Sequence, residues 1–175
     1  MAEPGARPSR RRLAGLVAAP IPATALVVLI ANDAWAKDRW GNWWTGKLSD
    51  VAGLVIAPLV GTWLASLALG DHRTPLACRR LLGTFVGAAV LGLVAVKTSS
   101  AAADAYEIAA GVVNWPGRLV RELLRSGAFA PYARGIVVVD PTDMVTLPAV
   151  ALAWWWGKRT IGPDAEAPDP NGLPQ

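Results

Sequence analysis

Charge, histidine, cysteine and phenylalanine are all scarce in this sequence. Charged residues make up 17% of the 175 residues, whereas soluble proteins average about 25%. The single histidine, His72, lies in a short loop between apolar segments, so we expect no histidine-based metal site and no catalytic triad. The single cysteine, Cys78, can form no internal disulfide, which excludes a disulfide-rich secreted domain.

Apolar residues and glycine fill the sequence instead. Hydrophobic residues make up 53% of the chain, and glycine adds 17 residues. Four apolar segments together hold 75 residues but only two of the 30 charges, Asp140 and Asp143. These segments are residues 13–31, 51–69, 81–96 and 136–156. The composition excludes a disordered or collagen-like chain and strongly disfavours a water-soluble domain.

Segment length predicts the number of membrane crossings. About 20 helical residues cross the ~30 Å hydrocarbon core of a bilayer. Three segments reach that length, and the third does so if its helix continues to residue 100. We therefore predict an all-α polytopic membrane protein with a four-helix transmembrane domain over residues 13–160. The predicted spans are residues 13–31, 51–69, 81–100 and 136–156, between a basic N-terminus (1–12) and a disordered tail (161–175).

The basic residues predict the orientation of the chain. The net charge of +4 and the pI near 9.7 are compatible with nucleic-acid binding. However, most of the basic residues flank the apolar segments, as orientation signals do, so we expect no nucleic acid as partner. These flanking residues are Arg10, Arg11, Arg12, Arg79, Arg80, Lys158 and Arg159. We predict a multi-pass protein of the cell (inner) membrane with both termini in the cytoplasm.

The first apolar segment has a second interpretation, as a signal peptide. Three arginines precede it, and the tripeptide at residues 34–36 matches an A-x-A cleavage site. The segment is longer than the usual signal-peptide core, and further spans follow it. We therefore expect an uncleaved first span.

The loop between the third and fourth spans contains a short amphipathic pattern. Within residues 118–125, the apolar positions 119, 120, 123 and 124 fall on one helical face and the charges on the other. This pattern predicts a helix lying in the membrane surface. Packing of the same helix against the bundle is the alternative.

Polar residues recur at the predicted outer end of every span, which points to a binding site. Asp140 and Asp143 share a helical face, near enough to bind one cation, and Lys97 is the expected counter-ion. Helix capping is the competing explanation for the aspartates, but it does not explain Lys97. We favour an outward-facing polar pocket. Its candidate ligand-binding residues are Lys47, Asp50, Lys97, Asp140 and Asp143.

Two sequence motifs resemble paired motifs in a group of small bacterial multi-pass membrane proteins. The motifs are KLSDVAGL at residues 47–54, followed by APL at 57–59, and DPTD at residues 140–143, followed by LPA at 147–149. The resemblance covers the second span through the fourth. It implies an integral membrane protein and no particular activity.

These observations predict a membrane protein that binds or transports a small polar ligand, a cation or a lipid headgroup. The aspartates would accept hydrogen bonds or a cation, and the lysines would balance charge. Two alternatives are an enzyme acting on a lipid-linked substrate and an accessory or structural protein. The expected partners are the lipid bilayer and either a lipid headgroup or another membrane protein. We expect no cofactor and no bound metal.

Overall fold

The computed structural model describes Pro8 and residues 10–40, 43–70 and 74–162. Helices hold 85% of these residues, which contain no strand, so the predicted all-α class is confirmed. His72 and the predicted disordered tail beyond residue 162 lie outside the described residues. The helices are α1 (Arg10–Ala18), α2 (Pro20–Ala31), α3 (Lys37–Trp40), α4 (Trp43–Ala68), α5 (Pro75–Thr98), α6 (Ser100–Ser126) and α7 (Ala149–Ile161).

Three helical stretches are long and apolar enough to cross a membrane. They are Arg10–Ala31, Trp43–Ala68 and Pro75–Thr98, with 22, 26 and 24 residues. The first is divided at Ala19, whose backbone is extended because the next residue is Pro20. The third ends two residues before its predicted end, because Ser99 leaves the helical conformation and caps α6 through its side chain. These helices support a membrane protein, as predicted.

The fourth predicted span, residues 136–156, is not one helix in the structure. Residues 136–140 have no regular structure, a 3₁₀ helix follows at Pro141–Thr146, and α7 begins at Ala149. Proline explains the start of each helix, because it supplies no backbone donor and favours the first turn. Pro141 opens the 3₁₀ helix, and Pro148 precedes α7.

The chain divides into two compact units. Unit 1 comprises the residues up to Val90 and those from Val145 onward, and unit 2 is Leu91–Met144. Unit 1 contains an apolar core formed by α1, α4, the first part of α5, and α7. Its buried residues are Leu13, Leu16, Val55, Leu59, Cys78, Leu82, Ala153 and Ile161.

Close contacts at one end of unit 1 bring together the start of α1, the start of α5 and the end of α7. The Arg79 guanidinium donates through Nη2 to the carbonyl of Gly162 at 2.6 Å. A Cβ placed on Gly162 would lie 2.9 Å from Nη1 of Arg12. The Trp156 indole donates to the carbonyl of Gly15 at 3.1 Å. Several residues of the predicted cytoplasmic flanks therefore meet at this end of unit 1.

Unit 2 consists of the end of α5, α6 and an extended segment that runs back beside α6. The chain reverses at Gly127, whose positive φ of 69° closes α6 and favours glycine. Residues 128–140 then form what we call the return segment. Gly111 permits its close approach, since a Cβ there would lie 2.7 Å from the Ala133 carbonyl oxygen.

Hydrogen bonds hold the return segment beside α6. Glu107 accepts twice, from the backbone N–H of Gly135 at 2.8 Å and, through its carboxylate, from that of Val137 at 2.9 Å. The Trp115 indole donates to the carbonyl of Ala130 at 3.1 Å. The predicted amphipathic stretch 118–125 is helical, but it forms the last part of the 27-residue helix α6 and does not stand alone.

Candidate functional site

The structure distributes the five predicted site residues over its two units. Lys47 and Asp50 lie on α4 in unit 1, whereas Lys97, Asp140 and Asp143 lie in unit 2. Each unit contains its own cluster of buried polar side chains. We describe the two clusters separately.

The cluster in unit 1 is centred on Asn32, which follows the last residue of α2. A single π-helical turn, Asn32–Ala36, begins there and leads into α3. The Asn32 amide nitrogen donates to the carbonyl of Thr45 at 2.7 Å and to the hydroxyl of Ser49 at 3.0 Å. Asn32 therefore joins the end of α2 to the first turns of α4. We call Asn32, Thr45 and Ser49 the Asn32 cluster.

The amide oxygen of Asn32 is buried and has no hydrogen-bond partner among the described residues. The residue is only 2% exposed. The orientation of the amide follows from its neighbour, because the Thr45 carbonyl can only accept and so must face the NH₂ group. A buried acceptor with no donor costs about 1–3 kcal/mol. This oxygen is therefore a specific place for a group that supplies a donor or a positive charge.

Lys47 and Asp50 lie on the same part of α4 as the Asn32 cluster. Lys47 is buried, and its ammonium lies 4.5 Å from the centroid of the Trp43 ring, one helical turn earlier. The face of the ring attracts the ammonium, and this attraction is stronger where water is partly excluded. Asp50 follows Ser49 directly and is half-buried. Both residues therefore lie on α4, close in sequence to Thr45 and Ser49 of the cluster.

The cluster in unit 2 is an ion pair between Lys97 and Asp143. The Lys97 ammonium lies 2.6 Å from the Asp143 carboxylate, and the two side chains are 11% and 10% exposed. The same ammonium donates to the carbonyl of Val138 at 3.3 Å. The last turn of α5 is thereby joined to the return segment and to the 3₁₀ helix after it.

Asp140 plays a different part from Asp143 in the structure. Its carboxylate accepts from the backbone N–H of Thr142 at 2.9 Å and from the Thr142 hydroxyl at 2.8 Å. Its carbonyl accepts from the N–H of Asp143 at 3.0 Å. These bonds cap the 3₁₀ helix, as the capping explanation of this residue predicts. Lys97 and Asp143 come together, whereas Asp140 holds the turn that presents Asp143.

Asn32 was absent from the predicted site residues, although it is a polar residue at the end of an apolar segment. The signal in the sequence was its position, directly after the first predicted span. The contact of Asn32 with Thr45, thirteen residues later, could not be predicted from the sequence, because it depends on how α2 and α4 pack together.

The described residues contain no group of three or more histidine, cysteine, aspartate or glutamate side chains arranged to hold a metal ion. No protein-family model matches the chain, and comparisons with curated proteins and with solved structures find no match either. The resemblance of the two sequence motifs to small bacterial membrane proteins stays a prediction.

Proposed function

We propose that the chain is a multi-pass protein of the cell (inner) membrane that binds or transports a small polar ligand through the Asn32 cluster. The observation that carries this proposal is the buried, unpartnered amide oxygen of Asn32. Asn32 follows directly on an apolar helix, where an unsatisfied acceptor is costly and a polar group indicates a functional site. Since this oxygen can only accept, the ligand class is one with an N–H or O–H donor or a cationic centre.

Four crossings with both termini in the cytoplasm form the topological part of this proposal. α7 has 13 residues, about 20 Å at 1.5 Å per residue. The apolar run that contains most of α7, residues 136–156, has 21 residues, which is enough for one crossing. The contacts of Arg12 and Arg79 with Gly162 support this topology, because an even number of crossings returns the chain to its starting side. Basic residues at that end favour the cytoplasm.

The amphipathic end of α6 belongs to the same topology. Residues 118–125 would then lie in the opposite, outer surface of the membrane, with their apolar face toward the acyl chains. Leu124 is 83% exposed in the structure, which supports contact of this face with lipid.

The binding proposal is tested by ligand-dependent thermal stability of the purified protein in detergent. Ethanolamine and Na⁺ supply donors or positive charge and should raise Tm, whereas acetate, which only accepts, should not. The Asn32→Leu variant should lose the response, because leucine has a similar volume but no acceptor. A variant that responds to ethanolamine and Na⁺ like the wild type would contradict the proposal.

Thr98→Val is the matched control for this experiment. Thr98 is an exposed polar residue at a helix end, and its hydroxyl donates only within α5, to the carbonyl of Val94 at 2.6 Å. This variant should keep the full response. If Asn32→Leu is more stable than the wild type and no probe shifts Tm of either protein, Asn32 only joins α2 to α4.

A further inference from the structure

The C-terminal part of α6 carries three arginines that share one side of the helix. Arg118, Arg121 and Arg125 are spaced three and four residues apart, which places them on one side of the helix. None of the three forms an ion pair with any described residue. On most folded surfaces arginines are interspersed with acidic side chains, so three neighbouring arginines without a partner mark a surface suited to an anion.

The arginines form one wall of a groove, and the return segment forms the other wall. After the chain reverses at Gly127, the start of the return segment lies opposite the arginines and encloses a cavity of about 390 Å³. Phe129, Ala130 and Pro131 form the facing wall. The hydrogen bond from the Trp115 indole to the Ala130 carbonyl fixes that wall beside the helix. The groove is therefore cationic on one side and apolar on the other.

A single carboxylate, Glu122, also lines the groove. Its carboxylate accepts at 2.8 Å from the hydroxyl of Ser126, which lies one turn further along the helix. Glu122 offsets part of the positive charge of the three arginines. It also offers an acceptor beside them, which suits a ligand that carries hydroxyl groups next to its anionic group.

Two large apolar residues, one on this part of α6 and one on the facing wall of the groove, are highly exposed. Phe129 is 79% exposed and Leu124 is 83% exposed. Leu124 belongs to the helical face opposite the arginines, and Phe129 is on the facing wall of the groove. Water is an unfavourable environment for such side chains, and acyl chains are a favourable one.

We infer that this groove binds the phosphodiester headgroup of an anionic phospholipid. The arginines would form bidentate hydrogen bonds with the phosphate oxygens, and Phe129 and Leu124 would contact the acyl chains. Glu122 would accept from headgroup hydroxyls, as in phosphatidylglycerol. This inference rests on the proposed membrane-surface position of α6 but not on the Asn32 cluster.

The test is the affinity of the purified full-length protein in detergent for dioctanoyl phosphatidylglycerol, measured by native mass spectrometry. Dioctanoyl phosphatidylcholine provides the neutral comparison, and inorganic phosphate competes as the free anion. The wild type should prefer phosphatidylglycerol to phosphatidylcholine, and inorganic phosphate should not displace it. No preference between the two lipids, or displacement by inorganic phosphate at equal concentration, would overturn the inference.

Substitutions locate the binding in the groove. The triple variant R118Q/R121Q/R125Q should bind phosphatidylglycerol at least about tenfold more weakly, because each basic residue near a membrane surface contributes to anionic-lipid binding. The control R10Q/R11Q/R80Q removes three exposed arginines elsewhere and should change the affinity less than about twofold. Equal losses in the two triple variants would mean that only the total charge of the protein matters.

The Glu122→Gln variant keeps the test valid if the triple variant does not fold. Glutamine retains the acceptor for Ser126 but removes the negative charge from the groove. Binding of phosphatidylglycerol should therefore become about two- to fivefold tighter, in the direction opposite to the arginine variant. Weaker binding by Glu122→Gln would contradict the proposed position of the phosphate. The response of the Asn32 cluster to ethanolamine and Na⁺ should be the same in all these variants.

Discussion

The two compact units of this protein are held together by different kinds of contact. In unit 1, leucine, valine and isoleucine side chains from four helices are buried against one another. In unit 2, hydrogen bonds join the return segment to α5 and α6, and the ion pair of Lys97 with Asp143 joins α5 to the start of the 3₁₀ helix. Many of the large apolar side chains of unit 2 are exposed, including Ile136 at 92%. Apolar burial therefore organises unit 1, and polar contacts organise unit 2.

The two units also differ in how their buried polar side chains find partners. Thr62 and Ser66 are fully buried in unit 1, but each bonds to a carbonyl of its own helix, at Pro58 and Thr62 respectively. They require no partner from another helix. Lys97 and Asp143 satisfy each other across different elements. The amide oxygen of Asn32 is buried and has no hydrogen-bond partner among the described residues, which is why the proposed ligand site lies there.

Removal of one charge from the ion pair should have the largest effect. Lys97→Met leaves the Asp143 carboxylate buried without its ammonium, which costs about 3–5 kcal/mol for a buried pair. Hydrogen–deuterium exchange should increase in residues 136–146 and stay unchanged in α1 and α4. The double variant K97M/D143L should recover most of the loss, because it removes both charges together. Unchanged exchange of residues 136–146 in Lys97→Met would contradict the role of the pair.

A cavity in the core of unit 1 should have a somewhat smaller effect than the loss of the ion pair in unit 2. Leu59 is fully buried among the helices of unit 1, so Leu59→Ala should lower the free energy of unfolding by about 2–4 kcal/mol. The control is Leu64→Ala, on the same helix but with a side chain 53% exposed, and it should cost much less. Denaturant unfolding in detergent measures both, and exchange should increase in α1 and α4. Equal losses for the two variants would show that Leu59 packing does not organise unit 1.

Loss of the cap on the 3₁₀ helix should have the smallest effect of the three. Asp140→Ala removes the acceptor for the N–H and the hydroxyl of Thr142, and such caps contribute about 1 kcal/mol. Asp140→Asn keeps an acceptor oxygen and should lose less. Denaturant unfolding in detergent measures both variants, and Lys97→Met beside them. A loss in Asp140→Ala as large as that in Lys97→Met would mean that Asp140 also stabilises the ion pair.

Much of the fold class could be predicted from the sequence. Runs of apolar residues such as 51–69 indicate membrane-spanning helices whatever their neighbours are, because the free energy of burying them in lipid depends on the run itself. The boundary of the third span was less predictable. It depended on whether Ser99 continued α5 or capped α6, and both conformations suit serine.

The candidate site could be predicted only in part. The pairing of Lys97 with a nearby aspartate was expected, since an isolated charge in an apolar helix needs a partner. Which aspartate it meets depends on the path of the return segment, which carries Val138 to the end of α5 and is followed by the 3₁₀ helix with Asp143. That path follows from Gly127 and from the contacts with Glu107, and neither is visible as a periodic pattern.

The sequence by itself determined that this protein is rich in apolar helices with basic flanks, because hydropathy and charge at the ends of a segment are local properties. The tertiary structure decided which polar groups meet. It buried the Asn32 amide against α4, paired Lys97 with Asp143, left Asp140 as a cap, and enclosed a groove beside Arg118, Arg121 and Arg125. These contacts join residues far apart in the chain, so they depend on turns and packing that no single segment specifies.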